Sequence, residues 1–370
     1  MLFSSIPFLY YFLPIVLIVY FLLPKIFLKN TWLLFASLFF YAWGEPKYAI
    51  LMVTAITIGY VFGLLIEKFR GKPLSKVFMI SAVALELALL MYFKYANFFV
   101  ANFAALTGMN VPTLNIILPI GISFYLFQIL SYDVDVYRGD VPAQKNYIYL
   151  ASYVALFPQL IAGPIVLYKE MMPQFEDTKN RAFHKENFAN GITLFTLGLS
   201  KKVLLADVLA LPVNYGFKNA VFLDTPSTLL MILAYTFEIY FDFSGYSDMA
   251  MGLGKMFNIE LPMNFNSPYK ACSVKELWQR WHMTLSRFFI QYVYIPLGGS
   301  RKGRVRTLFN TFMVFFLSGI WHGANWTYIA WGTMQGLLVV WDNLGIVGVK
   351  GSNDKVPAKF YIPRPVGWFF

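Results

Sequence analysis

Between Thr307 and Leu344 the chain is apolar almost without interruption. One bilayer crossing takes about 20 residues, so a stretch of this length holds two. Inside a bilayer only helices and closed barrels satisfy every backbone amide and carbonyl. The stretch is therefore predicted to be a two-helix hairpin, broken near Gly323 and the polar Asn325. Further apolar runs extend the same reading: Phe8–Leu23, Trp32–Trp43, Ala49–Ile66, Val77–Phe93, Ile116–Leu130, Tyr147–Val166, Ile192–Leu209, Ser227–Ile239 and Phe288–Ile295. The expectation is an all-α, polytopic transmembrane bundle of roughly ten to eleven hydrophobic helices, one domain over residues 1–370. Several runs are too short to cross unaided, which calls for tilted, interfacial or re-entrant helices.

Composition agrees. Residues are 58% hydrophobic, 19% aromatic and 13% charged, with a mean hydropathy of +0.57, whereas about 25% of an ordinary soluble domain is charged. The net charge of +11 does not point to nucleic acid, because the positive residues cluster between apolar runs. Lys and Arg mark cytoplasmic loops. Lys25 and Lys29, then Lys68, Arg70, Lys72 and Lys76, fall on one side, with the N-terminus outside. The basic region from Lys270 to Arg306, with Arg301, Lys302 and Arg304, is placed on that side too. The hairpin returns the tail, with Lys350, Lys355, Lys359 and Arg364, to the same face. Met1–Leu23 lacks a basic leader and a small-residue cleavage site and reads as an uncleaved first span. Cys272, the one cysteine, cannot form an intrachain disulfide, and no Cys/His cluster has metal-ligand spacing.

Of three histidines, two lie in tryptophan-flanked segments of the C-terminal part. His322 sits inside the predicted hairpin, in Trp321-His322-Gly323-Ala324-Asn325-Trp326. An ionisable group at membrane depth is costly and faces a bundle interior or a wet path. A helix from Arg306 carries His322 about 24 Å, most of the roughly 30 Å apolar layer. A buried imidazole stays neutral and can take a proton from a hydroxyl. Its bland alternative is a structural histidine bonded to a carbonyl. Asn325, three residues on, shares the His322 face if the helix continues, and could orient the ring or steady an oxyanion.

Val274–Tyr292 reads as one interfacial amphipathic helix. Trp278, Trp281, Leu285, Phe289 and Tyr292 share a face, Arg280 and Arg287 oppose it, and His282 lies at the border. His282 is then either a headgroup-facing polar residue or a second active-site histidine. Glu238 and Asp242 share a face of another span and either line a polar path or pair with Arg280 or Arg287. Pro119-Ile120-Gly121 and Phe157–Pro164 carry helix breakers. No nucleophile elbow, P-loop, HExxH motif or dinucleotide fingerprint is present.

Three signatures now stand together: Tyr240-Phe241-Asp242-Phe243-Ser244-Gly245-Tyr246-Ser247-Asp248-Met249-Ala250, Trp278-Gln279-Arg280-Trp281-His282, and Trp321-His322-Gly323-Ala324-Asn325. With Pro119–Tyr125 and Tyr92-Phe93-Lys94-Tyr95, they resemble the membrane-bound O-acyltransferases, most closely the alginate O-acetylation branch. The resemblance implies a ring of tilted helices around a central funnel in a bacterial cytoplasmic membrane. His322 would be the family's active histidine and His282 its second, with Trp321, Asn325, Arg280, Asp242 and Asp248 in support. It implies acetyl transfer from a cytoplasmic donor, acetyl-CoA, with no resident cofactor or metal. A periplasmic or extracellular SGNH-type acetyltransferase would pass the acetyl group to a polysaccharide hydroxyl. Other expected contacts are membrane lipid and no nucleic acid. The closing Val366–Phe370 reads as the start of a further span. Two alternatives stay open: D-alanyl transfer to teichoic acid, and a transporter using Glu238, Asp242 and His322 as a relay.

Overall fold

The computed structural model describes residues 1–44, 46–112, 114–177, 181–349, 359–363 and 367. Lys350, Lys355 and Arg364 of the tail, and the closing Val366 and Trp368–Phe370, lie outside the described residues. The described residues are overwhelmingly helical, as the sequence predicts. They fall into two compact units, Met1–Val83 with Phe124–Pro262, and Ala84–Ser123 with Met263–Phe370.

The first unit opens with a π turn, Phe8–Phe12, running into α1 (Leu13–Leu22), which tolerates Pro14 in its first turn and stops before Pro24. Then come α2 (Ile26–Ala42), α3 (Pro46–Lys68) and the start of α4 (Pro73–Thr107). The helix α5 (Ile122–Arg138) leads back into this unit, followed by α6 (Tyr147–Ala155), α7 (Phe157–Leu160), α8 (Tyr168–Glu176), α9 (Lys185–Ser200), α10 (Asp207–Lys218) and α11 (Thr225–Met256). By length and composition α3 and α4 are each able to cross a membrane. The rings of Phe3, Phe8, Phe12, Phe40 and Phe157 pack with centroids 5.0 to 6.4 Å apart and form the aromatic core. A π-helical turn at Lys201–Ala206 joins α9 to α10 without a break. Small residues bring α9 and α11 together: a Cβ on Gly198 would stand 2.5 Å from the carbonyl oxygen of Gly245.

The second unit holds α12 (Val274–Arg280), α13 (Met283–Phe289) with a π turn at Ile290–Tyr294, α14 (Arg304–His322) and α15 (Trp326–Leu344). A short parallel pair, β1 (Val347–Val349) and β2 (Phe360–Ile362), follows. The predicted hairpin is present and is closed by glycines. A Cβ on Gly319 would lie 2.6 Å from the Tyr328 carbonyl oxygen and 2.7 Å from the Gly332 Cα, so the two backbones touch.

Two predicted spans and one predicted interfacial helix need correction. The run Ile116–Leu130 becomes helical only at Ile122, because Pro119 lacks an amide proton and Gly121 turns with φ +76°. Tyr147–Val166 is not one span: Leu156 is extended between α6 and α7, and the helix ends at Leu160. Val274–Tyr292 is two helices, parted at Trp281 and His282.

Candidate active site

Ser273 opens α12 by accepting the Glu276 amide at 3.1 Å, and Glu276 reaches back to the Cys272 amide at 2.9 Å. Cys272 is thereby a buried structural residue. Arg280, at the far end of α12, donates to one oxygen of Glu276 at 2.9 and 3.0 Å and to the Asn266 carbonyl at 3.1 Å. Arg280, expected at headgroups or beside Glu238 and Asp242, instead pairs with Glu276.

After Arg280 the chain turns sharply. His282 adopts φ +46°, ψ 52°, the left-handed conformation that non-glycine residues rarely take. The turn swings the imidazole off the helical wheel assumed for it and buries it to 3% exposure. His282 is neither at a helix border nor facing headgroups. Its Nδ1 lies 3.1 Å from Asn264 Oδ1, and its ring stands edge-on to Trp321, with centroids 6.4 Å apart.

Trp321 also carries His322, with ring centroids 4.9 Å apart, and His322 packs on its other flank against Trp331 at 5.0 Å. One indole therefore touches both imidazoles. Against expectation, His322 is exposed rather than buried. The cause is that α14 ends there: Gly323 is extended, and His322 stands at the apex of the hairpin. Among the described residues its side chain makes ring contacts with Trp321 and Trp331.

The last carbonyls of a helix have no partner of their own. Here two side chains of α4 supply them. Lys94 donates to the Trp321 carbonyl and, at 3.3 Å, to the Ser123 hydroxyl; Tyr95 donates to the Ile320 carbonyl at 2.6 Å. Lys94 Nζ is 5.2 Å from the centre of the Trp321 ring. These two residues entered the sequence reading only as part of a resemblance. A lone lysine in an apolar span was the available signal.

Asn325 has a different task from the one expected. The helix does not continue through it, so it shares no face with His322. It caps α15, accepting the Thr327 amide at 3.0 Å and the Thr327 hydroxyl at 3.1 Å. Asp242 and Asp248 belong to the first unit and are neutralised there. Lys202 bridges Asp207 at 2.8 Å and Asp242 at 2.6 Å, and Lys201 meets Asp248 at 2.6 Å. The π turn beginning at Lys201 accompanies this arrangement of two consecutive lysines on different carboxylates.

Beside His282 lies a cavity of about 640 Å³. Its wall is largely apolar, from Trp278, Leu285, Phe289, Ile290 and Phe315, with Lys275 and Arg287 as cationic members. The volume is in the range of small-molecule sites, about 300–1,000 Å³. Among the described residues no group of three or more His, Cys, Asp or Glu could hold a metal ion.

Residues 142–363 match the model of MBOAT, the membrane-bound O-acyltransferase family. The peptidoglycan O-acetyltransferase of Helicobacter pylori is 40% identical over 399 residues, covering 100% of this chain and 74% of its own. The probable alginate O-acetylase AlgI of Pseudomonas putida is 43% identical over 380 residues, again 100% and 74%. The teichoic acid D-alanyltransferase of Bacillus subtilis is 27% identical over 243 residues, 62% of this chain and 60% of its own. Similarity this high along the whole chain, together with the histidines gathered on one indole, leaves a single assignment: the chain is an acyltransferase and belongs to the membrane-bound O-acyltransferase family.

Proposed function

We propose that this protein is a multi-pass O-acetyltransferase of a bacterial cytoplasmic membrane, serving an exported or cell-surface polysaccharide. The observation that carries the reading is the shared contact of His282 and His322 with Trp321. In the proposed reaction His322 takes the proton of the acceptor hydroxyl, and that oxygen attacks the acetyl carbonyl of a thioester. The carbon–sulfur bond breaks and the thiolate recovers the proton. His322 acting as a transient acyl acceptor keeps the same balance in two steps. His282 assists, and Trp321 sets the spacing of the two rings. Arg280 and Asn325 support the helices that carry the site, and Asp242 and Asp248 hold lysines of the first unit.

Acetyl-CoA is the proposed donor. A cavity of about 640 Å³ beside His282 is far larger than an acetyl group and suits the thioester arm of such a carrier. The proposed architecture is a ring of roughly ten to eleven helices around a funnel. The cytoplasmic face supplies the donor, and a periplasmic SGNH-type acetyltransferase receives the acetyl group. Relatives named for alginate and peptidoglycan acetylation support a glycopolymer as the final acceptor. D-Alanyl transfer is the second reading, supported by the weaker likeness to the teichoic acid enzyme.

The test is polymer O-acetyl content in cells carrying wild type, His322→Ala or His282→Ala, with membrane protein levels matched. His322→Ala lowers acetylation by about 100-fold or more, the scale of a lost general base. Full acetylation at equal protein level refutes the reading, and D-alanyl esters in place of acetyl esters move it to the second.

A further inference from the structure

Asn264 lies outside every signature in the sequence, yet its side chain is fully buried against the left-handed turn at His282. Its Oδ1 accepts the Thr284 amide at 3.3 Å and the Thr284 hydroxyl at 2.9 Å, and faces His282 Nδ1 at 3.1 Å. Its main-chain carbonyl accepts the Met283 amide at 3.0 Å. Asn264 thus clamps both the backbone and the ring of the turn.

The chemistry of these partners fixes more than position. A main-chain amide can only donate, so the carboxamide atom that meets Thr284 is the oxygen and not the nitrogen. A carboxamide oxygen has no hydrogen to give, so the proton in the contact with His282 sits on Nδ1. A neutral imidazole carries one N–H, which leaves Nε2 as its basic nitrogen.

We propose that Asn264 is a positioning residue for acyl transfer: it holds His282 as the Nδ1–H tautomer, making Nε2 the proton-accepting nitrogen of the histidine that lines the 640 Å³ cavity. The inference rests on the proposed role of His282 in transfer. Acid–base work requires the lone pair on the correct nitrogen, so a histidine free to exchange tautomers loses much of its effect even when it stays in place.

The experiment uses the full chain in detergent or bilayers with ¹⁵N-labelled histidine. Three histidines give few signals, and that of His282 is identified by its loss in His282→Gln. In wild type, His282 shows a protonated Nδ1 and a bare Nε2; in Asn264→Ala that preference is lost. Acetyl transfer in membranes falls by about 10- to 100-fold in Asn264→Ala, up to the low end of the roughly 10²–10⁴-fold that a whole acid–base group contributes. Asn264→Asp, which keeps an acceptor for the Nδ1 proton, recovers most of it. Thr284→Val removes one neighbour of Asn264 without touching the imidazole and stays within about 3-fold of wild type, since it leaves the acid–base group intact. A wild-type His282 with its proton on Nε2 overturns the inference alone. Equal losses in Thr284→Val and Asn264→Ala reduce Asn264 to a structural clamp. A fully active His282→Gln removes the role of His282 and this inference with it.

Discussion

Lys94 donates its ammonium proton to the main-chain carbonyl of Trp321, the residue just before His322. A helix end that would otherwise leave its carbonyls unsatisfied is thereby fixed where both histidines meet one indole. Lys94→Met should cost about 1.5–3 kcal/mol, the scale of a hydrogen bond to a charged group. Thermal unfolding in detergent reads the loss, and acetyl transfer should fall further than stability alone explains, because the indole moves. Lys94→Arg keeps a cationic donor and should recover part of both.

The contact of Gly319 with Gly332 leaves no room for a side chain at the hairpin crossing. Gly319→Val should destabilise by about 1–3 kcal/mol, as overpacked sites do. Because Gly319 lies one turn before His322, the variant should lose transfer while still reaching the membrane, which blotting and an acetyl assay together check.

Asn325→Ala should cost about 1 kcal/mol, the usual value of a lost helix cap. Asn325→Asp or Asn325→Ser should restore it. Acetyl transfer per folded molecule should be the same in all three. A transfer defect that capping residues do not rescue would return Asn325 to an oxyanion role.

The two aspartates of the first unit should behave differently. Asp248 is 17% exposed and meets Lys201, so Asp248→Asn strips a half-buried cation of its carboxylate. The cost should lie between the about 1 kcal/mol of exposed pairs and the about 3 kcal/mol of buried ones. Asp242 is 50% exposed, and Lys202 retains Asp207 when it is lost. Asp242→Asn should cost less than about 1 kcal/mol. Denaturation of the two variants side by side decides the order.

The hairpin was readable from the sequence because its length exceeds one crossing and Gly323 and Asn325 interrupt it. His322 stood out because ionisable residues are rare in apolar runs. The neighbourhood of His282 was not. A helical wheel assumes an unbroken helix, and nothing local in Trp281-His282-Met283 announces a left-handed residue; the turn is held by Asn264, some eighteen positions earlier in the chain. The ion pairs were misassigned for a related reason. Periodicity shows which carboxylates share a face, but which cation meets them depends on the packing of α9 on α11 and on a π turn that periodicity cannot reveal. Exposure of His322 likewise follows from where α14 stops, which hydropathy alone fixes only to within a few residues.

Lys94 and Trp321 are 227 residues apart in the chain. At synthesis rates of about 5–20 residues per second, the lysine waits roughly 11–45 s for its partner. For most of that interval the ammonium group of α4 has the Ser123 hydroxyl but not yet the Trp321 carbonyl, and a charged group costs about 2.5–3.5 kcal/mol to insert if it lies mid-membrane. The flanking apolar residues of α4 must hold the helix in place until the C-terminal hairpin arrives. The order in which the ribosome delivers these segments therefore makes the histidine-bearing unit mature after the helices of the first unit.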